Sequence, residues 1–212
     1  MRGDGLPAYD AILFDFDGVL ADTEPFHWEC WRAVLLPLGV DLDWPTYRDY
    51  CIGLSDVDLL ELVCRNAHPP VAVERAWAQQ PAKQKLFQDR VRDGKAILIQ
   101  TRKLLETLRS DYKLAVVTSS HKSEVEPALD AAGVSSYLAA FVAAADVRRM
   151  KPDPEPYLLA AKLVGATKPL VVEDSAAGRL SAAAAGFDVL EVQAAASMPE
   201  QLLRFLDLTA GR

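Results

Sequence analysis

Short apolar runs that stop at polar residues alternate along this chain with stretches in which apolar residues recur every three or four positions. Ala11-Ile12-Leu13-Phe14, Lys113-Leu114-Ala115-Val116-Val117 and Leu170-Val171-Val172 are runs of the first kind, and each predicts a buried strand. The second kind predicts helices over 101–110, where Leu104, Leu105 and Leu108 share a face, and over 124–132, 156–164 and 179–185. Pro156 in a first turn and Gly133, Gly165 and Gly186 after last turns are ordinary helix punctuation. Val189-Leu190-Glu191-Val192 predicts a final strand. The alternation predicts an α/β fold, a Rossmann-like doubly wound parallel sheet whose polar strand ends gather on one edge.

From about Asp22 to about Ala96 the rhythm breaks. This stretch has amphipathic helical patterns over 27–36 and 56–63, loops at 42–45 and 68–71, and no convincing strand. About 75 residues is too long for a plain connection in a compact α/β unit. The expectation is an inserted all-helical cap subdomain over 23–95, with 1–22 and 96–212 forming the Rossmann-like core.

Composition narrows the partners. The chain has 212 residues, 50% hydrophobic and 25% charged, enough for one large domain or two unequal ones. A net charge of -7 disfavours nucleic acid or an anionic membrane as a general partner, while leaving room for a local basic pocket that binds phosphate. Cys30, Cys51 and Cys64 show no C-x-x-C spacing and read as reduced thiols of a cytoplasmic protein. No apolar run approaches the length of a membrane span, and the first residues carry no export-type apolar region.

The chemistry lies where the strands stop. Asp15-Phe16-Asp17-Gly18 follows the first strand, so two carboxylates two positions apart share a face where the backbone turns. Alone, the motif also fits an ordinary turn. Other strand ends add Thr118 with the Ser119 and Ser120 amides, then Glu173 and Asp174, and Lys151 opens a helix-leading segment. Clustered carboxylates without His or Cys nearby make a hard oxygen site suited to Mg²⁺. A hydroxyl, amides and a lysine supply donors for the oxygens of a phosphoryl group.

The segments Asp15 to Glu24, Val116 to Ser120, Lys151 to Pro154 and Val172 to Gly178 resemble the four ordered motifs of the haloacid dehalogenase superfamily. The likeness spans nearly the whole chain and is nearest to the branch of β-phosphoglucomutases and sugar-phosphate phosphatases with a helical cap. It implies Asp15 as the nucleophile that forms an aspartyl-phosphate and Asp17 as the acid/base. It further implies Mg²⁺ held by Asp15, the Asp17 carbonyl, Asp174 and Glu173. Thr118 and the Ser119 amide would hold phosphoryl oxygens, and Lys151 would neutralise charge and orient Asp15.

In the cap, His27 and Trp31 follow Thr23 and lie one helical turn apart, as substrate-facing residues do in the mutase branch. Trp28, Trp44 and Trp77 read as core. The loop Cys51-Ile52-Gly53-Leu54-Ser55-Asp56 resembles the mutase loop that grips a second phosphate, but Ile52 and Asp56 stand where lysine and arginine are expected. A carboxylate there would repel a distal phosphate. The expectation is therefore a Mg²⁺-dependent phosphatase of a small phosphomonoester, a phosphosugar above all, with a β-phosphoglucomutase-type mutase as the alternative. Asp17 argues against a dehalogenase, whose halide leaving group needs no proton. A phosphonatase would carry a small residue there and a cap lysine for a Schiff base, which the chain does not convincingly match. A signalling receiver would be shorter and capless, and an idle phosphate-binding protein fits poorly with an intact motif set.

Overall fold

Ala11–Phe14 forms strand β1, with all four side chains buried, as a continuous apolar run should when both faces of a parallel sheet are covered. The computed structural model describes residues 8–52 and 54–207. β1 is the central strand of a five-stranded sheet, joined by β2 (Lys113–Val117), β3 (Leu138–Val142), β4 (Pro169–Glu173) and β5 (Asp188–Glu191). All pairings are parallel and the order is β3-β2-β1-β4-β5. Phe14 lies opposite both Val116 and Val172, so the three middle strands finish level and deliver their next residues to one edge. At the opposite edge Asp10 ties the same strands together. Its backbone N–H donates to the Lys168 carbonyl, its carbonyl accepts from Lys113, and its carboxylate accepts from Thr167 and Lys168.

The chain divides into two compact units, Met1–Asp22 with Arg92–Arg212 and Thr23–Val91. The second unit holds α1 (Glu24–Leu35), α2 (Trp44–Tyr50), α3 (Asp56–Asn66), α4 (Val73–Trp77) and α5 (Gln80–Val91), and no strand among its described residues. Its core gathers Trp31, Leu35, Leu59, Leu60 and Cys64. In the first unit, α6 (Ile99–Leu108), α7 (Lys122–Ala131), α8 (Glu155–Val164), α9 (Ala176–Ala184) and α10 (Met198–Phe205) accompany the strands. Tyr157, Ala160, Ala161 and Val164 of α8, with Ala182 of α9, pack on Ala11, Leu13, Ala115 and Val171. Where the first unit is interrupted, the Asp22 N–H donates to the Ala96 carbonyl at 3.1 Å.

Several elements depart from the sequence pattern for identifiable reasons. β3 reads Leu-Ala-Ala-Phe-Val and is a half-exposed edge strand, so it lacks a strong apolar run. α5 buries only Lys83, Phe87 and Val91, a single narrow stripe through an otherwise polar segment. The expected loop at 42–45 holds at 42–43 but gives way to α2 at Trp44, where the Asp43 carboxylate accepts from the Thr46 amide at 2.7 Å. Trp77, expected in the core, is 46% exposed, whereas Trp28 and Trp44 meet edge-to-face against the core of their unit. Cys30, Cys51 and Cys64 are buried and in no disulfide. No helix among the described residues is long and apolar enough to cross a membrane.

Candidate active site

The Asp15 amide donates to the Val172 carbonyl at 3.0 Å, continuing the ladder one residue past β1 and fixing a nearly buried carboxylate at the sheet edge. The chain then folds back, with the Phe16 carbonyl accepting from Leu20 and Ala21. Gly18 sits in this turn at φ +74°, and a Cβ there would lie 2.0 Å from Asp174 Oδ2. Both the backbone and the Asp174 carboxylate therefore require glycine.

Lys151 supplies the cation. Its Nζ donates to Asp15 Oδ1 at 2.7 Å, Glu173 Oε1 at 2.6 Å and the Val117 carbonyl at 2.9 Å, and the side chain is almost wholly buried. Glu173 is held by five donors. Lys151 and the Tyr157 hydroxyl reach Oε1, while the Asp174 amide, the Ser175 amide and the Ser175 hydroxyl reach Oε2. Gly178 completes this cradle, since a Cβ there would fall 1.7 Å from Glu173 Oε1.

Carboxylate oxygens of Asp15, Glu173 and Asp174 all lie within 4.8 Å of one another. Burial, with the Glu173 and Asp17 charges adding to it against the pull of Lys151, holds the Asp15 carboxyl well above the usual range. Burial and the adjacent Glu173 raise Asp174 to about 6. Glu173 goes the other way despite its burial, because Lys151, Tyr157 and the Ser175 amide favour its charged form. One cation thus faces three crowded carboxylates with oxygen donors only, a donor set that fits a hard divalent ion.

Asp17, whose charge is felt by Asp15 and Asp174, has its Oδ2 accepting from the Ser120 hydroxyl at 2.6 Å. Thr118 is buried at the end of β2, and its Oγ1 accepts from the Ser120 amide at 3.0 Å. That amide, expected to serve a phosphoryl group, is thus already engaged, whereas Ser119 is exposed. The sequence pattern missed the Ser120 side chain and Tyr157. A tyrosine on the apolar stripe of a helix carries no sign of what its hydroxyl touches.

Within the helical unit, Thr23 is buried and precedes α1, and its carbonyl accepts from the His27 amide. The His27 ring stacks on Phe87 at 4.1 Å, and Trp31 Nε1 donates to Asp56 Oδ1 at 3.2 Å. Lys83, 1% exposed, places its Nζ 3.9 Å from Asp56 Oδ2 and over the Trp31 ring. Asp56, read from the sequence as a carboxylate that would repel a distal phosphate, thus faces a lysine that an otherwise polar segment concealed. Gly53 lies outside the described residues.

A family model described as haloacid dehalogenase-like hydrolase matches residues 12–192. The fructose-1-phosphate phosphatase YqaB of Escherichia coli (strain K12) is 30% identical over 201 residues, covering 87% of this chain and 97% of that protein. The plasmid phosphoglycolate phosphatase of Cupriavidus necator is 32% identical over 186 residues, covering 86% and 80%. A crystal structure of β-phosphoglucomutase from Clostridium difficile superposes with a TM-score of 0.70 at 21% identity, covering 93% of this chain and 99% of that one. At that identity the likeness is one of fold.

Proposed function

The chain belongs to the haloacid dehalogenase-like hydrolase family, and from that premise we propose that it hydrolyses a small phosphomonoester through phospho-Asp15. The observation that carries the reading is Lys151 shared between Asp15 and Glu173 at 2.7 and 2.6 Å, with Asp174 in the same cluster. A lysine so placed keeps Asp15 oriented and offsets charge as a phosphoryl group approaches.

In the first displacement an Asp15 carboxylate oxygen bonds to phosphorus and the ester P–O bond breaks, while protonated Asp17 gives its proton to the departing alkoxide. In the second, the Asp17 carboxylate takes a proton from water, whose oxygen attacks phosphorus, frees inorganic phosphate and restores Asp15. The Ser120 hydroxyl supports this role by orienting the Asp17 carboxyl through a hydrogen bond to its Oδ2. Thr118 and the exposed Ser119 segment would receive the phosphoryl oxygens.

Asp15, the Asp17 carbonyl and Asp174 would hold Mg²⁺, whose charge would screen the repulsion between carboxylate and phosphate. Five donors already occupy the two oxygens of Glu173, about the full capacity of a carboxylate, which supports an anchoring part for Glu173 over direct ligation.

The named relatives act on fructose 1-phosphate and phosphoglycolate, so the substrate class proposed is a small phosphorylated metabolite, a phosphosugar above all, in the cytoplasm. Asp56, engaged by Trp31 and facing Lys83, forms a formally neutral pair, and this favours a substrate with one phosphate over a bisphosphate. A phosphate-release screen over phosphosugars and related metabolites, run with Mg²⁺, with chelator and with Asp15→Asn, tests the reading. Release that survives Asp15→Asn would sink it. Sustained, primer-dependent conversion of β-glucose 1-phosphate to glucose 6-phosphate would replace hydrolysis with mutase chemistry.

A further inference from the structure

Four of the five donors to Glu173 come from Lys151 and the Glu173-Asp174-Ser175 segment itself, and the fifth comes from the first turn of a packing helix, α8. Tyr157 is wholly buried on the face of α8 that covers the sheet, and its hydroxyl reaches Glu173 Oε1 at 2.7 Å. A carboxylate accepts only, so the tyrosine donates and the direction of the bond is fixed. The same residue meets Lys151 a second way, with the ammonium 5.1 Å from the ring centroid.

We infer that Tyr157 is a positioning residue for the proposed reaction: its hydroxyl shares Glu173 Oε1 with Lys151, and so keeps the ammonium divided between Glu173 and Asp15. The inference rests on the reading of Asp15 as nucleophile. Its physical basis is competition at one oxygen. With the hydroxyl present, Oε1 accepts from two donors at 2.7 and 2.6 Å, and Lys151 keeps its third-party contact to Asp15 at 2.7 Å. Without it, Oε1 is free to turn wholly to Lys151, drawing the ammonium off the nucleophile. The ring cannot follow, because it is wholly buried in the apolar cluster that includes Ala11, Leu13, Ala160 and Val171. The core packing of the sheet face thereby sets the position of a charge at the reacting edge.

Tyr157→Phe keeps the ring beneath Lys151 and removes only the donor. It is expected to lower kcat about ten- to hundredfold with KM changed less than about twofold, at nearly unaltered melting temperature. In a Glu173→Gln background the same change should cost less than about twofold, because the group it acts through has already been altered. Installing 4-aminophenylalanine at 157 restores a donor on the same ring, and should bring kcat back to within about threefold of the parent enzyme.

Full kcat in Tyr157→Phe, or penalties that multiply independently in the double variant, would overturn the inference. Restored folding without restored kcat in the 4-aminophenylalanine enzyme would do the same, and decides the matter even if the phenylalanine variant does not fold. These outcomes are separable from failure of the functional reading, which is signalled by activity in Asp15→Asn whatever Tyr157 does.

Discussion

Among the described residues, Lys151 carries the positive charge that pairs with both Asp15 and Glu173, and both of those carboxylates are buried. Removing one partner of a buried ion pair leaves the other uncompensated. Lys151→Met should abolish phosphate release and lower stability by about 3–5 kcal/mol in a urea titration without metal. The Asp15 and Asp174 carboxyls, raised by burial and by the neighbouring Glu173 and Asp17 charges, are the groups a dication would relieve. Mg²⁺ at a hundred times its dissociation constant is expected to add about 2.7 kcal/mol to stability, and Asp174→Asn to remove most of that gain. A chelator titration followed by thermal melting reads both. At this scale Asp15, Asp17, Thr118, Lys151, Glu173 and Asp174 were legible as candidates because each lies at or just beyond a strand or opens a helix-leading segment. Tyr157, the Ser120 hydroxyl and Lys83 were not, since their roles depend on which distant oxygen their packing delivers them to.

Elements place these residues through their ends. Ser175 opens α9, its hydroxyl oxygen accepting from the Gly178 amide at 3.0 Å while its O–H donates to Glu173 Oε2 at 2.9 Å. Ser175→Ala is expected to cost about 1–2 kcal/mol in stability, and the helix cap is the larger part. Gly18→Ala adds a methyl 2.0 Å from Asp174 Oδ2 at a φ of +74°, so activity should fall far more steeply than stability. Kinetics and melting curves on one preparation separate the two. The strands that carry the site were legible as apolar runs because they are the central, doubly covered ones. β3 was not, being a half-exposed edge strand in which alanines dilute the signal, and α5 hid because three buried positions in twelve barely register as a face.

On the scale of the whole molecule, Asp10 stitches the starts of β1, β2 and β4 on the side away from the chemistry. Partial burial pushes its carboxyl up, but hydrogen bonds from Thr167 and Lys168 outweigh it and hold the group below the usual 3.8. A depressed carboxyl contributes stability that is present above the unfolded-state value and is lost as pH falls through the folded-state one. Asp10→Asn should therefore be less stable at neutral pH, by about 1 kcal/mol, and the gap should close under acid titration below about pH 4. A gap that widens in acid would contradict this. The β-α-β order made the sheet legible from the pattern alone, and the break at about Asp22 and Ala96 marked the helical stretch by its length. What no pattern could supply was the convergence of Trp31, Asp56 and Lys83 inside that stretch, which depends on how three separate helices cross.

The hydrogen bond from Asp22 to Ala96 has a consequence for how such proteins diversify. The two ends of the core chain at the interruption already touch, so what lies between them works as a cassette. A short turn could close the gap at little loop-closure cost, and a foreign helical module could be spliced into it without disturbing strand register. Exchange of the segment between these two points is expected to leave Asp15, Lys151 and Glu173 and the contacts among them in place.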